Sequence, residues 1–208
     1  MTQPVAVLHL DESCLGNGRE GENPGGGAGL IEIRSRGGRI ERRDCFLHEP
    51  ATTNNRMALK GAACALELLA GKGARLRVLM VSDSQYLVRG VREWMPAWEA
   101  RGWTRKGGPI ENLELWKRLR AASAKHEGQW TWLRGHARHP KNEYADRLAV
   151  RAAREQRSSA GAVASGFGEW LAAEQEKGLY VGYDPGAGFT ALEARVAKGE
   201  PFPLVLVE

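Results

Sequence analysis

The sequence predicts an α/β domain, and two kinds of apolar pattern support this. Residues 5–10 (VAVLHL) and 76–81 (LRVLMV) are short, nearly continuous apolar runs, as expected of central strands that helices cover on both faces. Between them, the stretch 51–69 (ATTNNRMALKGAACALELL) carries apolar residues at helical spacing, with Thr53 or Asn54 as the helix cap. Its predicted core face consists of Leu59, Ala62, Ala63, Leu66 and Leu69.

The other elements follow from the same periodicities. Residues 25–49 contain two extended segments around a Gly-rich turn, which predicts an antiparallel meander that starts from the first strand. We expect a helix from near Ser84, an amphipathic helix around residues 113–119, a strand at QWTWLRG and a last helix from Asn142. The predicted order is βββαβααβα, a mixed five-stranded sheet flanked by helices.

The composition changes after residue 157. Residues 158–166 (SSAGAVASG) are small and predict a flexible linker. Helices are expected at 167–177 and 190–198, and the end PFPLVLVE has the pattern of a strand. We therefore expect one domain at 1–157 and a C-terminal extension at 158–208 of unknown role. By default it packs on the domain; the alternatives are an added edge strand or a partner-binding segment.

Composition and charge narrow the function classes. The formal net charge is +5 in 208 residues, which favours a polyanionic partner. Cys14, Cys45 and Cys64 form no CxxC pair, which indicates reduced thiols in the cytoplasm rather than disulfides or a zinc site. The apolar runs are strand-sized, so no membrane span is expected, and the amino terminus lacks the pattern of a signal peptide.

Three aspartates are the strongest functional signal. Asp11 follows VAVLHL, Asp83 follows VLMVS, and Asp146 lies in NEYADRLA near the start of the last helix. Ends of neighbouring strands meet at one edge of a sheet, so these carboxylates are expected to converge. Such a group of oxygen ligands binds divalent metal ions.

From Asp11 through Arg154 these stretches, in this order and spacing, resemble the ribonuclease H type 1 family. The resemblance implies the ribonuclease H-like fold and cleavage of the RNA strand of an RNA/DNA hybrid with two Mg²⁺ ions, with Mn²⁺ as the alternative metal. It further implies that Asp11 bridges both ions, that Asp146 binds the nucleophile-side ion and that Asp83 binds the leaving-group-side ion. His136, in LRGHARHP, matches the family's mobile histidine, which helps protonation or product release. His139 is expected to be structural.

One position departs from the family. Ala58 stands where the family has a metal-binding glutamate, directly after NNRM, so impaired catalysis is expected, whether the alanine is engineered or native. Glu12, where the family usually has glycine, is the nearby alternative ligand, although strand alternation turns it away from Asp11. The alternative functions are a hybrid-binding module that has lost catalysis and, less favoured, another nuclease or transposase-like member of the fold.

The resemblance also implies a binding surface for the hybrid. Asn17, Asn54, Asn55 and Gln85 match minor-groove contacts, and Thr53, with Arg56, matches a contact to a DNA phosphate. The stretch 92–106 resembles the family's basic protrusion, with Trp94, Arg101 and Arg105 as expected substrate contacts; its tryptophans could instead belong to the core. The expected partner is an RNA/DNA hybrid, bound by a monomer away from membranes.

Overall fold

The computed structural model describes residues 3–16, 23–71, 73, 75–135 and 138–203. The elements in chain order are β1 (Val5–Cys14), β2 (Gly25–Arg34), β3 (Ile40–Glu49), α1 (Asn54–Ala70), β4 (Arg77–Ser82), α2 (Gln85–Arg89), a π-helical turn (Gly90–Trp94), α3 (Met95–Glu99), α4 (Leu113–Ser123), β5 (Glu127–Trp132), α5 (Pro140–Glu155), β6 (Val163–Ala164), α6 (Phe167–Glu176) and α7 (Ala187–Ala197). Over the described ranges, no helix has the length and apolar character needed to cross a membrane. The three cysteines are free.

The sheet has the strand order β5-β4-β1-β2-β3-β6. β1 pairs parallel with β4, and β4 pairs parallel with β5. The meander β1-β2-β3 is antiparallel, as the Gly-rich turn predicted. This confirms the predicted mixed α/β architecture, with one correction to the strand count. The sheet has six strands rather than five, because β6 in the extension pairs with β3 at Asp44 and Arg43.

One face of the sheet packs against α1 and α4. The core there includes the fully buried Leu8, Leu59, Leu66 and Trp116. α1 approaches β2 closely, since a Cβ built on Gly61 would lie 3.3 Å from Gly27 Cα. The absence of side chains at these two glycines therefore brings the first turns of α1 next to the end of β1 and the start of β2.

The other face is divided between α5 and the C-terminal extension. α5 packs across β1, β2 and β3. α7 places Phe189, Leu192 and Val196, together with Phe202, against residues of β1 and β4. The extension therefore contributes to the core, in agreement with the default expectation.

The segment expected to be a flexible linker is bonded to β3 in its first half. Ser159 N donates to Phe46 O at 2.8 Å, and Phe46 N donates to Ser159 Oγ at 3.1 Å. His48 N donates to Ser158 Oγ at 3.1 Å. β6 follows within the same segment. Of the strand expected at the end of the chain, residues 201–203 are not a strand, and residues 204–208 lie outside the described ranges.

Candidate active site

A polar cavity of about 340 Å³ opens at the carboxyl ends of β1 and β4, beside the first turns of α1 and α5. It brings together Asp11, Asp83 and Asp146, the three aspartates that the sequence singled out. The full lining is Asp11, Glu12, Asn54, Asp83, Ser84, Asn142, Glu143 and Asp146. The parallel pairing of β1 with β4 explains the convergence, because it places the ends of both strands at one edge of the sheet.

Asp11 and Asp83 are held together by an amide that the sequence analysis did not identify. Asn142 Nδ2 donates to Asp11 Oδ2 at 2.9 Å and lies 3.5 Å from Asp83 Oδ2. Asn142 precedes Asp146 by one helical turn on α5, so both side chains face the cavity. That i, i+4 spacing was the available sequence signal. The other oxygen of Asp11 accepts from the backbone N–H of Glu12 at 2.7 Å.

Glu12 enters the same cavity from the opposite side of β1. Glu12 follows Asp11 in the strand, so its side chain points to the opposite face of the sheet. Leu8 and Leu10 lie on that same face and pack in the core beside α1. The cavity lies beyond the sheet edge, where side chains from both faces reach it. Burial, followed by repulsion from Asp83 and Asp146, raises the pKa of Glu12 to about 8, while a hydrogen bond with Ser84 opposes that rise.

The cavity has a strong excess of negative charge. Burial and the carboxylates of Asp83, Glu12 and Asp146 raise the pKa of Asp11 well above its usual range. Its lining contains five carboxylates and no lysine or arginine. Oxygen ligands of this kind suit a hard divalent cation, which would relieve the repulsion. Among the described residues, no group of three His, Cys, Asp or Glu side chains is arranged to hold a metal ion by itself. Water or substrate oxygens would have to complete the coordination, as is usual for Mg²⁺.

Comparison with known proteins identifies the family. The family model for RNase H matches residues 3–154. A ribonuclease H of Methylococcus capsulatus is 41% identical over 151 residues, which are 72% of this chain and 90% of that protein. A ribonuclease HI of Caulobacter vibrioides is 42% identical over 147 residues, covering 70% of this chain and 91% of that protein. The chain belongs to the ribonuclease H family.

Solved structures of ribonucleases H support the same assignment. LC9-RNase H1, described as a type 1 RNase H with the type 2 active-site motif, is 50% identical in sequence with a TM-score of 0.77. The match covers 83% of this chain and 82% of that one. The RNase H domain of prototype foamy virus shares the fold alone, with a TM-score of 0.59 at 17% identity. A type 1 scaffold with a different active-site motif therefore has a precedent.

Ala58, where the resemblance to the family led us to expect a glutamate, lies inside the core. It is only 4% exposed and belongs to the cluster around α1 and α4. It does not line the cavity, whereas Asn54, one turn earlier on the same helix, does. The carboxylate that the cavity receives on the α1 side of the sheet is that of Glu12.

The residues expected to bind a hybrid surround this cavity in part. Thr53 caps α1, accepting from Arg56 N at 3.4 Å, and is itself exposed. Asn55 on α1 is partly exposed, and Gln85 is exposed at the first position of α2, behind Asp83 and Ser84. Two expected site residues, Asn17 and His136, lie outside the described residues. His139 is buried and caps α5, accepting from Asn142 N at 3.4 Å, which agrees with a structural role.

The tryptophans of the 92–106 stretch combine packing with a surface pocket. Trp94 lies with its ring centroid 5.7 Å from that of Tyr86 and 6.0 Å from that of Trp98. Both tryptophans also meet the ring of the buried Trp116 edge-to-face. Tyr86, Trp94 and Trp98 line a cavity of about 260 Å³ together with Arg105. Arg101 and Arg105 are exposed, so the charges are accessible while the aromatic rings are anchored.

Proposed function

We propose that this ribonuclease H hydrolyses the RNA strand of RNA/DNA hybrids with two divalent metal ions, Mg²⁺ by preference and Mn²⁺ as a substitute. The observation that carries the proposal is the cavity at the ends of β1 and β4, where five carboxylates meet with no neutralising lysine or arginine in the lining. We assign Asp11, Glu12, Asp83 and Asp146 as the ligand set. When bound, such ions supply an activated water and stabilise the leaving oxygen.

The contribution of the protein to this chemistry is to position the carboxylates. Asp11 lies between its partners, because its two oxygens accept from Glu12 N and from Asn142 Nδ2. Asn142 connects Asp11 with Asp83, and the Ser84 hydrogen bond orients Glu12. Fixed donors of this kind hold the carboxylates in place without adding positive charge to the site.

Glu12 is, in this proposal, the substitute for the glutamate that Ala58 replaces. Two observations favour it over a simple loss of catalysis. Glu12 lines the cavity with the three aspartates, although strand alternation had suggested that it would not reach them. It also lies on the α1 side of β1, the side from which the resemblance implies that a glutamate on α1 would reach the metal ions.

Because Ala58 supplies no carboxylate, the second candidate function is that of a hybrid-binding module without catalysis. The amide and hydroxyl groups expected to contact a hybrid remain present at Thr53, Asn54, Asn55 and Gln85. In both functions we assign these side chains, with Asn17, to the nucleic acid. Arg101 and Arg105 would track a phosphate backbone beside Trp94, and His136 would serve protonation or product release.

The test is cleavage of a hybrid labelled separately on its RNA and DNA strands. We expect internal cuts in the RNA strand with Mg²⁺, weaker or altered cutting with Mn²⁺, and none with chelator. Duplex DNA of the same sequence is the matched control and should remain intact. Tight hybrid binding without any cleavage at saturating Mg²⁺ or Mn²⁺ would establish the binding-module function instead.

A further inference from the structure

The carboxylate of Asp44, on β3, joins the C-terminal extension to helix α5. Asp44 is only 4% exposed. Tyr144 Oη on α5 donates to Asp44 Oδ2 at 2.6 Å, and Gly166 N in the extension donates to the same oxygen at 3.2 Å. One acceptor thus holds three elements of the fold, and we name Asp44, Tyr144 and Gly166 the Asp44 junction.

Aromatic packing reinforces the Asp44 junction. The ring of Tyr144 meets Phe167 edge-on at 5.3 Å and lies 5.4 Å from Trp170, both on α6. Phe167 is fully buried. Aromatic pairs of this geometry add to the free energy of packing and fix the orientation of the rings.

The position of Tyr144 on α5 links the Asp44 junction to the candidate active site. Tyr144 lies midway between Asn142 and Asp146 in sequence. Because a helix turns by about 100° per residue, Asn142 and Asp146 share one face while Tyr144 points to the other. Holding Tyr144 therefore sets the rotation of α5 about its axis, and with it the distance of Asn142 and Asp146 from Asp11.

We propose that the C-terminal extension is a positioning element for the active-site helix, acting through the Asp44 junction. The inference rests on the proposed function, in that it assigns Asn142 and Asp146 to the metal-binding site. The family match ends at residue 154, so the Gly166, Phe167 and Trp170 contacts are an addition that the matched segment does not contain. If the extension only added buried apolar surface, breaking its contacts with α5 would affect catalysis and metal binding no more than breaking its contacts elsewhere on the sheet.

That difference can be measured in the full chain with three substitutions. Tyr144→Phe removes the hydroxyl and keeps the ring, and Phe167→Leu loosens the contact from the extension side. Phe202→Leu is the matched control, because Phe202 is a buried phenylalanine of the extension that packs near Arg77, at the opposite end of β4 from the cavity. Each protein is assayed well below its unfolding temperature for kcat and KM on a hybrid, and for Mn²⁺ affinity by calorimetry.

We expect Tyr144→Phe and Phe167→Leu to lower kcat by ~10-fold with little change in KM, since a misplacement of about 1 Å can cost roughly a hundredfold and a smaller one correspondingly less. Both should weaken Mn²⁺ binding, while Phe202→Leu lowers the unfolding temperature only. Equal kcat and Mn²⁺ affinity in all three variants would overturn the positioning role. The Mn²⁺ measurement decides this even if the unmodified chain cleaves no hybrid, a result that would reject the proposed function separately.

Discussion

Replacing Glu12 by glutamine isolates the charge of the proposed substitute ligand. Glutamine has the same shape and keeps a partner for Ser84, so the change removes one anionic ligand from a cavity that also contains Asp11, Asp83 and Asp146. Loss of one preorganised electrostatic contact costs ~3–4 kcal/mol in the transition state, which corresponds to about a hundredfold to a thousandfold in rate. The assay is cleavage of a labelled hybrid across Mg²⁺ concentrations.

The same substitution should stabilise the metal-free protein. The pKa of Glu12 is about 8 in the folded state, against 4.5 ordinarily. Between these pH values the folded protein keeps a proton that the unfolded chain has lost, so this carboxyl lowers stability increasingly as pH rises through that window. Glu12→Gln should therefore raise the unfolding temperature in chelator more at pH 8 than at pH 4. A gain of ~1 kcal/mol corresponds to roughly 2–4 °C for a chain of this size.

Glu143→Gln is the matched control, because Glu143 lines the same cavity and has no assigned ligand role. It should change the rate far less than Glu12→Gln does. Undiminished cleavage by Glu12→Gln at limiting Mg²⁺ would refute the assignment of Glu12 as a ligand.

Three further predictions concern binding and stability. The protein should bind a hybrid more tightly than duplex DNA and lose affinity as salt rises, because neutralised phosphates release counterions; equal affinity at one salt concentration would contradict this. Joint replacement of Arg101, Arg105 and Lys106 by alanine should weaken hybrid binding and reduce the salt slope by ~1 for each lost phosphate contact, with the unfolding temperature unchanged since all three are exposed. Unaltered affinity would exclude the protrusion from the interface. Lys141→Met should lower the free energy of unfolding by ~3–5 kcal/mol in a denaturant titration, because it leaves the buried Glu32 without the ammonium 2.8 Å away. Arg42 Nε, 2.9 Å from the other oxygen of Glu32, would remain, and a loss below ~1 kcal/mol would show that this second ion pair suffices.

Much of the fold was accessible from local patterns, and what was missed depends on tertiary contacts. The apolar runs of β1 and β4 and the spacing on α1 identify these elements without ambiguity. β6 has only two residues in a segment of small side chains. Two residues are too few to show the alternation of apolar and polar side chains that identifies a strand. Its pairing with β3 is decided by Asp44 and the serines around it. α5 begins at Pro140 rather than Asn142 because proline is favoured in the first turn of a helix and His139 provides the cap.

The candidate site shows a similar division. Aspartates at strand ends converge because strand order and parallel pairing require it, so Asp11 and Asp83 were predictable. Glu12 was harder to assign, because alternation along a strand describes the sheet faces and not the space beyond the sheet edge, where both faces meet. Asn142 was missed although it lies one turn before Asp146, since an amide in a helix has many uses and only the distance to Asp11 selects one.

The central claim is that a carboxylate supplied by β1 has taken the place of one that the family supplies from α1. A direct test moves the carboxylate from position 12 on β1 to position 58 on α1. Mg²⁺-dependent cleavage of the RNA strand is measured in the unmodified chain, in Glu12→Gly, in Ala58→Glu and in the double variant that carries both substitutions. We predict an active unmodified chain, loss of about a hundredfold or more in Glu12→Gly and recovery of most of that loss in the double variant. An almost inactive unmodified chain that gains orders of magnitude from Ala58→Glu alone would contradict the account, because it would show that Glu12 never replaced the missing ligand.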